Sequence, residues 1–221
     1  MIQPTSRTWT VSACLLLAAC AGYRGGWESV PYVGEQPPTL PEYRTPFEAR
    51  KRSELKLPGV TLNVAIHNQT RTYDTQVYLF VLPLSVDSRT VQTQPGEPGR
   101  TRVSLSVSNT NGDLVFRPQA AKLFVAGKAV PALAAFEFGM WDAAGNRVTS
   151  GGTWAHRVID EEQSLPEVGR TYHLSIDFPV PVPSPAESGI ALDLSDALRA
   201  PGKPTIPIIR FNPTRWKQGY T

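Results

Sequence analysis

Cysteine is almost missing from this chain. Of 221 residues only Cys14 and Cys20 carry a thiol, and both fall within the first twenty positions. The remaining two hundred therefore hold no disulfide and no thiolate metal site, and stability has to come from a packed core. Histidine is scarce too: His67, His156 and His173 are all there are. No His-x-His or His-Glu-x-x-His spacing occurs, so a metal site would need all three to converge from separate elements. His67 and His173 lie on the polar phase of their segments and read as surface positions, and neither metal nor cofactor is expected. Charge is nearly balanced, with 22 basic and 19 acidic side chains and a net of +3. That balance, without a basic patch interleaved with aromatics, argues against nucleic acid as a partner. There is no Gly-x-Ser-x-Gly elbow, and Gly151-Gly152 lacks the Lys and the strand-to-helix setting of a phosphate loop. Asp160-Glu161-Glu162 lacks the alternating oxygen ligands of a calcium loop.

What is present begins at the N-terminus. Met1–Thr8 is polar with one basic residue, Arg7, and no acid; Val11–Ala19 is apolar apart from Ser12; Ala18 and Ala19 are small. These are the three parts of a secretory signal. The apolar run is roughly 10 residues, too short to span a bilayer as a helix.

Leu17-Ala18-Ala19-Cys20 resembles the lipobox of bacterial lipoproteins. The resemblance implies cleavage before Cys20, a diacylglycerol thioether on its sulfur and acylation of the freed amine. Several chains on one residue make a durable anchor, where one is marginal. Cleavage would leave 21 basic and 19 acidic side chains. Ala21, rather than Asp, after the Cys implies sorting to the outer membrane, on its periplasmic face.

After the anchor, 21–41 carries Gly25-Gly26 and Pro31, Pro37, Pro38 and Pro41 without periodicity. It reads as a tether, partly extended by its prolines; about 35 residues of flexible coil would reach ~30–35 Å and a proline-stiffened segment further, with Trp27, Tyr32 and Tyr43 docking on a half-wet surface. Thr45-Pro46-Phe47-Glu48 is a capping box with Pro at the first helical position, predicting a short helix to about Lys56 that stops at Pro58-Gly59. Its Arg50-Lys51-Arg52 cluster reads as a solvated face.

From Val60 the period changes to two. Val60–Ile66, Val103–Val107 and Tyr172–Phe178 alternate apolar with polar residues, so each is predicted as a strand with one buried face. Thr75–Leu84 is apolar on both faces and reads as one central strand or a contact surface. Val86–Arg100 reads as a loop and Asn111-Gly112 as a hairpin turn. Leu114–Phe116, Lys122–Val125, Ala129–Leu133, Phe136–Trp141, Trp154–Ile159, Ile190–Leu194 and Ile206–Phe211 complete the strand candidates, with a reversal at Ala126-Gly127-Lys128. Pro179, Pro181 and Pro183, spaced by two, fit an edge strand made unpairable on one side.

Roughly eight to ten short strands separated by turn chemistry predict an all-β class, an antiparallel β-sandwich. Val103, Leu105, Val107 and Asn109, then Phe116, Pro118, Leu123 and Gly127, resemble Ig-like sandwich domains of bacterial lipoproteins. The predicted organisation is a signal peptide over 1–19 and lipidated Cys20 with tether and short helix over 20–58. The sandwich follows over 59–211, with a polar, aromatic-tipped tail over 212–221. The function expected is a non-enzymatic envelope lipoprotein, held to the membrane through Cys20 and acting by contact with an envelope protein. Candidate surfaces are the Tyr78–Leu84 strand, the Pro-blunted edge and the tail with Trp216 and Tyr220. The alternatives are a small-ligand or metal-binding sandwich and an envelope hydrolase; the latter needs a cleft with convergent carboxylates or a Ser–His pair.

Overall fold

A computed structural model describes residues 21–78, 82–110 and 112–220. Strict alternation decides where its core lies. Val60–Ile66 and Thr101–Asn109 bury every second residue without a break, because a pleated strand sends successive side chains to opposite faces.

The strands, in chain order, are β1 (Ala21–Tyr32), β2 (Glu54–Leu57), β3 (Val60–Ile66), β4 (Thr70–Tyr78), β5 (Leu82–Asp87) and β6 (Val91–Gln92). Then come β7 (Thr101–Asn109), β8 (Leu114–Phe116), β9 (Lys122–Val125), β10 (Lys128–Pro131), β11 (Ala134–Trp141) and β12 (Thr153–Val158). The last are β13 (Gln163–Leu165), β14 (Thr171–Phe178), β15 (Ala191–Asp193), β16 (Leu198–Arg199) and β17 (Ile209–Tyr220). Among the described residues one α-helix, α1 (Pro46–Lys51), lies between β1 and β2, and a single 3-10 turn spans Pro118–Ala120.

Three antiparallel sheets result. The larger runs β10-β9-β15-β17-β1-β4-β5, with β6 also on β4; the second runs β12-β11-β14-β7-β3-β2; a small one runs β13-β8-β16. One apolar cluster joins them: Leu62, Leu105 and Ile176 from the second sheet, Leu123, Leu192 and Ile209 from the first, Phe116 and Leu165 from the third. The expected all-β, antiparallel sandwich class is therefore observed, and burying each of these large side chains contributes about 1.5–3 kcal/mol.

The N-terminal tether is not observed. Residues 21–32 form β1, which lies between β17 and β4 within the larger sheet. The paired glycines that suggested flexibility are there for close approach. A Cβ on Gly26 would stand 2.0 Å from the Thr70 carbonyl oxygen, and one on Gly25 2.4 Å from the Tyr73 hydroxyl. Here β4 carries a bulge, with Thr72 the extra residue between the Gly25–Tyr73 and Gly26–Arg71 pairs. Nor is 212–221 a tail: β17 runs to Tyr220, and Trp216 is buried.

Four further expectations change. The capping box forms, with the Glu48 amide donating to Thr45 Oγ1 at 3.2 Å and the Thr45 amide to Glu48 Oε2 at 2.7 Å. The helix ends at Lys51, however, because Glu54–Leu57 pairs with β3 across Pro58-Gly59. Thr75–Leu84 is not one central strand but the meeting end of β4 and β5, where Tyr78 pairs with Leu82. Asn111-Gly112 does not close a hairpin, since β8 pairs with β13 and β16 rather than with β7. Asn109 turns that corner instead, its amide donating to the Leu165 carbonyl at 2.6 Å and its carbonyl accepting the Gly112 amide at 2.9 Å. The Pro179–Pro183 run is no strand. It crosses the end of the sandwich, held by Thr101 Oγ1 on the Val180 carbonyl at 2.9 Å and Asn68 on the Pro183 carbonyl. The reversal at Ala126-Gly127 is a two-residue hairpin with positive φ at both positions.

Candidate functional site

The outward face of the six-stranded sheet gathers the chemistry that the sequence scatters. Register places Ser104, Ser106 and Ser108 of β7 beside Ser175, His173 and Thr171 of β14. Next come Phe136 and Phe138 of β11, then Val158 and His156 of β12, with Met140 opposite Trp154. His67 joins the same face through its Nε2, 2.7 Å from Ser104 Oγ. All three histidines thus share one face, but they do not converge. His156 and His173 stand on opposite sides of Phe138, two strand spacings or ~10 Å apart. Among the described residues no three His, Cys, Asp or Glu side chains are grouped to hold a metal ion.

Two of these imidazoles titrate low. His67 is pulled below its ordinary value by burial first and by Arg102 second, Asp177 opposing; His173 is lowered by partial desolvation, then by Arg147 and Arg50. Below the unfolded value of about 6.5 the unfolded chain then binds protons that the folded chain resists, so stability rises with pH there. We expect unfolding midpoints in urea to fall from about pH 7 to about pH 5, and the fall to shrink when His67→Asn and His173→Asn are combined. An unchanged slope in the double variant would contradict the assignment.

Buried carboxylates are committed to arginines. Asp177 accepts from Arg102 at 2.6 and 2.7 Å. Glu137 faces Arg147 and accepts from Gln163 at 2.5 Å. Glu28 takes Arg44 on one oxygen and Arg52 on the other, the latter at 2.8 Å. Arg44 also lies 4.6 Å over the Trp216 ring, and burial, with Arg52 and Arg24 nearby, draws its guanidinium down to about 10. Arg52 therefore does not belong to a solvated face with its neighbours. Glu162 of the acidic loop pairs with Arg117.

The part of the outward face left open is aromatic. Trp154 is 58% exposed and Phe138 36%, with Val158 and His156 also exposed. Phe138 stacks on Trp154 at 5.3 Å between ring centres and meets His156 at 4.9 Å. Strand β12 ends the sheet order, with β11 its one strand neighbour among the described residues. An apolar stripe beside an unpaired strand edge offers both side-chain contact and main-chain hydrogen bonding to an incoming segment. A groove of about 600 Å³ opens elsewhere, between the far end of β1, Gln36–Pro41 and Glu48–Leu55; Val30, Tyr32, Pro38 and Leu40 line it.

Cys20 lies outside the described residues, as do 79–81 of the Tyr78–Leu84 candidate. The aromatic stripe was missed in the sequence, although Phe136, Phe138 and Met140 alternate there. The signal was two apolar phases on neighbouring strands, which periodicity alone assigns to a core. No family model, curated protein or solved structure matches the chain.

Proposed function

We propose that this chain is a non-enzymatic lipoprotein of a bacterial outer membrane, anchored through Cys20, whose sandwich binds an envelope protein at the open edge of β12. The observation that carries the contact is the exposed Trp154–Phe138–His156 stack on a strand with a free edge. Exposed aromatics of this kind supply large contact area at small cost in side-chain entropy, and they concentrate binding energy at interfaces. The anchor rests on the lipobox resemblance, and the Ig-like assignment on β7 ending at Asn109 with the buried aromatic Phe116 in the next strand, β8.

Two measurements test this. Wild-type protein should incorporate labelled palmitate in cells and Cys20→Ser should not; label in the variant removes the anchor. A photocrosslinking residue at position 154 of the full lipoprotein should give a discrete protein adduct, lost with Phe138→Ala. The same probe at Ser188 should give none. Identical patterns from 154 and 188 would sink the contact surface.

A further inference from the structure

Three separated parts of the chain meet at one end of the larger sheet. Ala21 pairs with Val77 of β4, Gly22 pairs with Tyr220 of β17, and Tyr78 pairs with Leu82 of β5. Position 20 is covalently next to Ala21, so covalent geometry alone keeps its Cα about 3.8 Å from that of Ala21 at this end. No linker intervenes. Residues 75–86, which include the paired ends of β4 and β5, carry no charged side chain between Asp74 and Asp87.

The described surface beside this end is of a particular kind. Tyr23 is 39% exposed and Tyr43 52% exposed. Both reach Gly219, where an added Cβ would meet Tyr23 Cε1 and the Tyr43 hydroxyl at 3.5 Å each. Lys217 Nζ lies 5.0 Å over the Tyr23 ring. Tyrosines with an adjacent cation suit the headgroup level, where the ring is half apolar and the phosphate is anionic.

We propose that this strand end is seated on the bilayer. Tyr23, Tyr43 and Lys217 lie among the headgroups, and the charge-free ends of β4 and β5 dip toward the acyl boundary. The occupant of this end is the lipid surface because the anchor leaves the domain nowhere else to stand: with Cys20 in the membrane, an acyl chain and the sheet end share one location. This inference rests on the lipoprotein reading and replaces a distant domain on a tether with one standing directly on its membrane.

The lipidated full chain offers a direct test, because acylation consumes the thiol of Cys20 and any cysteine introduced elsewhere is then the one free thiol. Leu82→Cys, Ser85→Cys and Tyr23→Cys would each be labelled with an environment-sensitive fluorophore. Gly34→Cys, just beyond the Tyr32 end of β1, a strand ~36 Å long, serves as the distant position. The protein would be reconstituted into vesicles of phosphatidylethanolamine and phosphatidylglycerol containing nitroxide-tagged acyl chains. The three labels near the anchor should lose most of their fluorescence and the Gly34 label none; Ser85, an exposed position, covers the case in which Leu82→Cys fails to fold. Mass measurement of the N-terminal peptide reports acylation in the same preparation. An acylated chain whose four labels respond alike overturns the seating and leaves the anchor standing. Protection that appears only as protein concentration rises points to a second copy and also overturns it. An unmodified Cys20 overturns the anchor, and the seating falls with it.

Discussion

Glu28→Gln lowers the free energy of unfolding by about 3–5 kcal/mol, because it removes the one carboxylate between two guanidinium groups drawn out of water. Glu28 is 8% exposed and Arg44 5%. The amide keeps the shape of the side chain but not its charge, so Arg44 and Arg52 face each other without the carboxylate that separates them. Arg44 is the costlier to leave. Burial already lowers its affinity for the proton, and besides Glu28 its charge has the face of Trp216. Equilibrium unfolding in urea measures the effect as a shift in midpoint with the slope preserved. A loss below ~1 kcal/mol would place the pair in the class of surface ion pairs and contradict its burial. Replacing Glu28 and Arg44 together by methionine should cost less than Glu28→Gln alone, since apolar side chains leave less buried charge behind.

A chain beginning at Val33 does not fold. Losing residues 21–32 would be harmless if they were a tether, but β1 holds the two flanks of the larger sheet together. Every residue from Gly22 to Tyr32 has a partner on β17, and most of those from Ala21 to Trp27 have a second on β4. Without β1, β4 and β5 lose their attachment to the sheet, and β17 keeps its short pairing with β15 at Ile209 and Arg210 and a single bridge from Lys217 to Tyr43. Val30, buried at 3% exposure, goes as well, and Arg44 and Arg52 lose Glu28. The expected result is a chain without a cooperative thermal transition and with rapid proteolysis throughout. A sharp melt close to that of the full mature protein would refute the central place of β1.

These two results bear on what could be read from the residues alone. Strands β3 and β7 were legible because one face is core and the other is half-open, so the period of two is written directly into Val60–Ile66 and Thr101–Asn109. Thr171–Phe178 alternates in polarity as well, although Ser175 and Asp177 on its polar phase are buried. The capping box and the Ala126-Gly127 reversal are local chemistry and were legible for that reason. Strand β1 was not, since the features that make it work are those that argue against a strand. Gly25 and Gly26 are needed for close packing, Pro31 stands near its end, and Glu28 replaces an apolar residue at a buried position. Trp216 and Pro213 disguise β17 in the same way. The run over 75–84, apolar on both faces, failed for another reason: composition cannot distinguish one strand covered on two sides from the ends of two strands paired with each other. The histidines were legible as polar-phase residues, but their common face follows only from register between distant strands.

The pairing of β1 with β17 also sets an order of events. These are the first and last strands among the described residues, so the larger sheet cannot close until residues 209–220 are available to pair with β1. Until then β1 has β4 as its early neighbour, with the β1–β17 ladder still unmade and the ring of Trp216 not yet under Arg44. Contacts between residues this far apart in sequence are slow to form, because loop closure has to precede the gain from pairing. The β17-facing side of β1 therefore stays unpaired until 209–220 arrives, at positions that the finished domain holds against its last described strand.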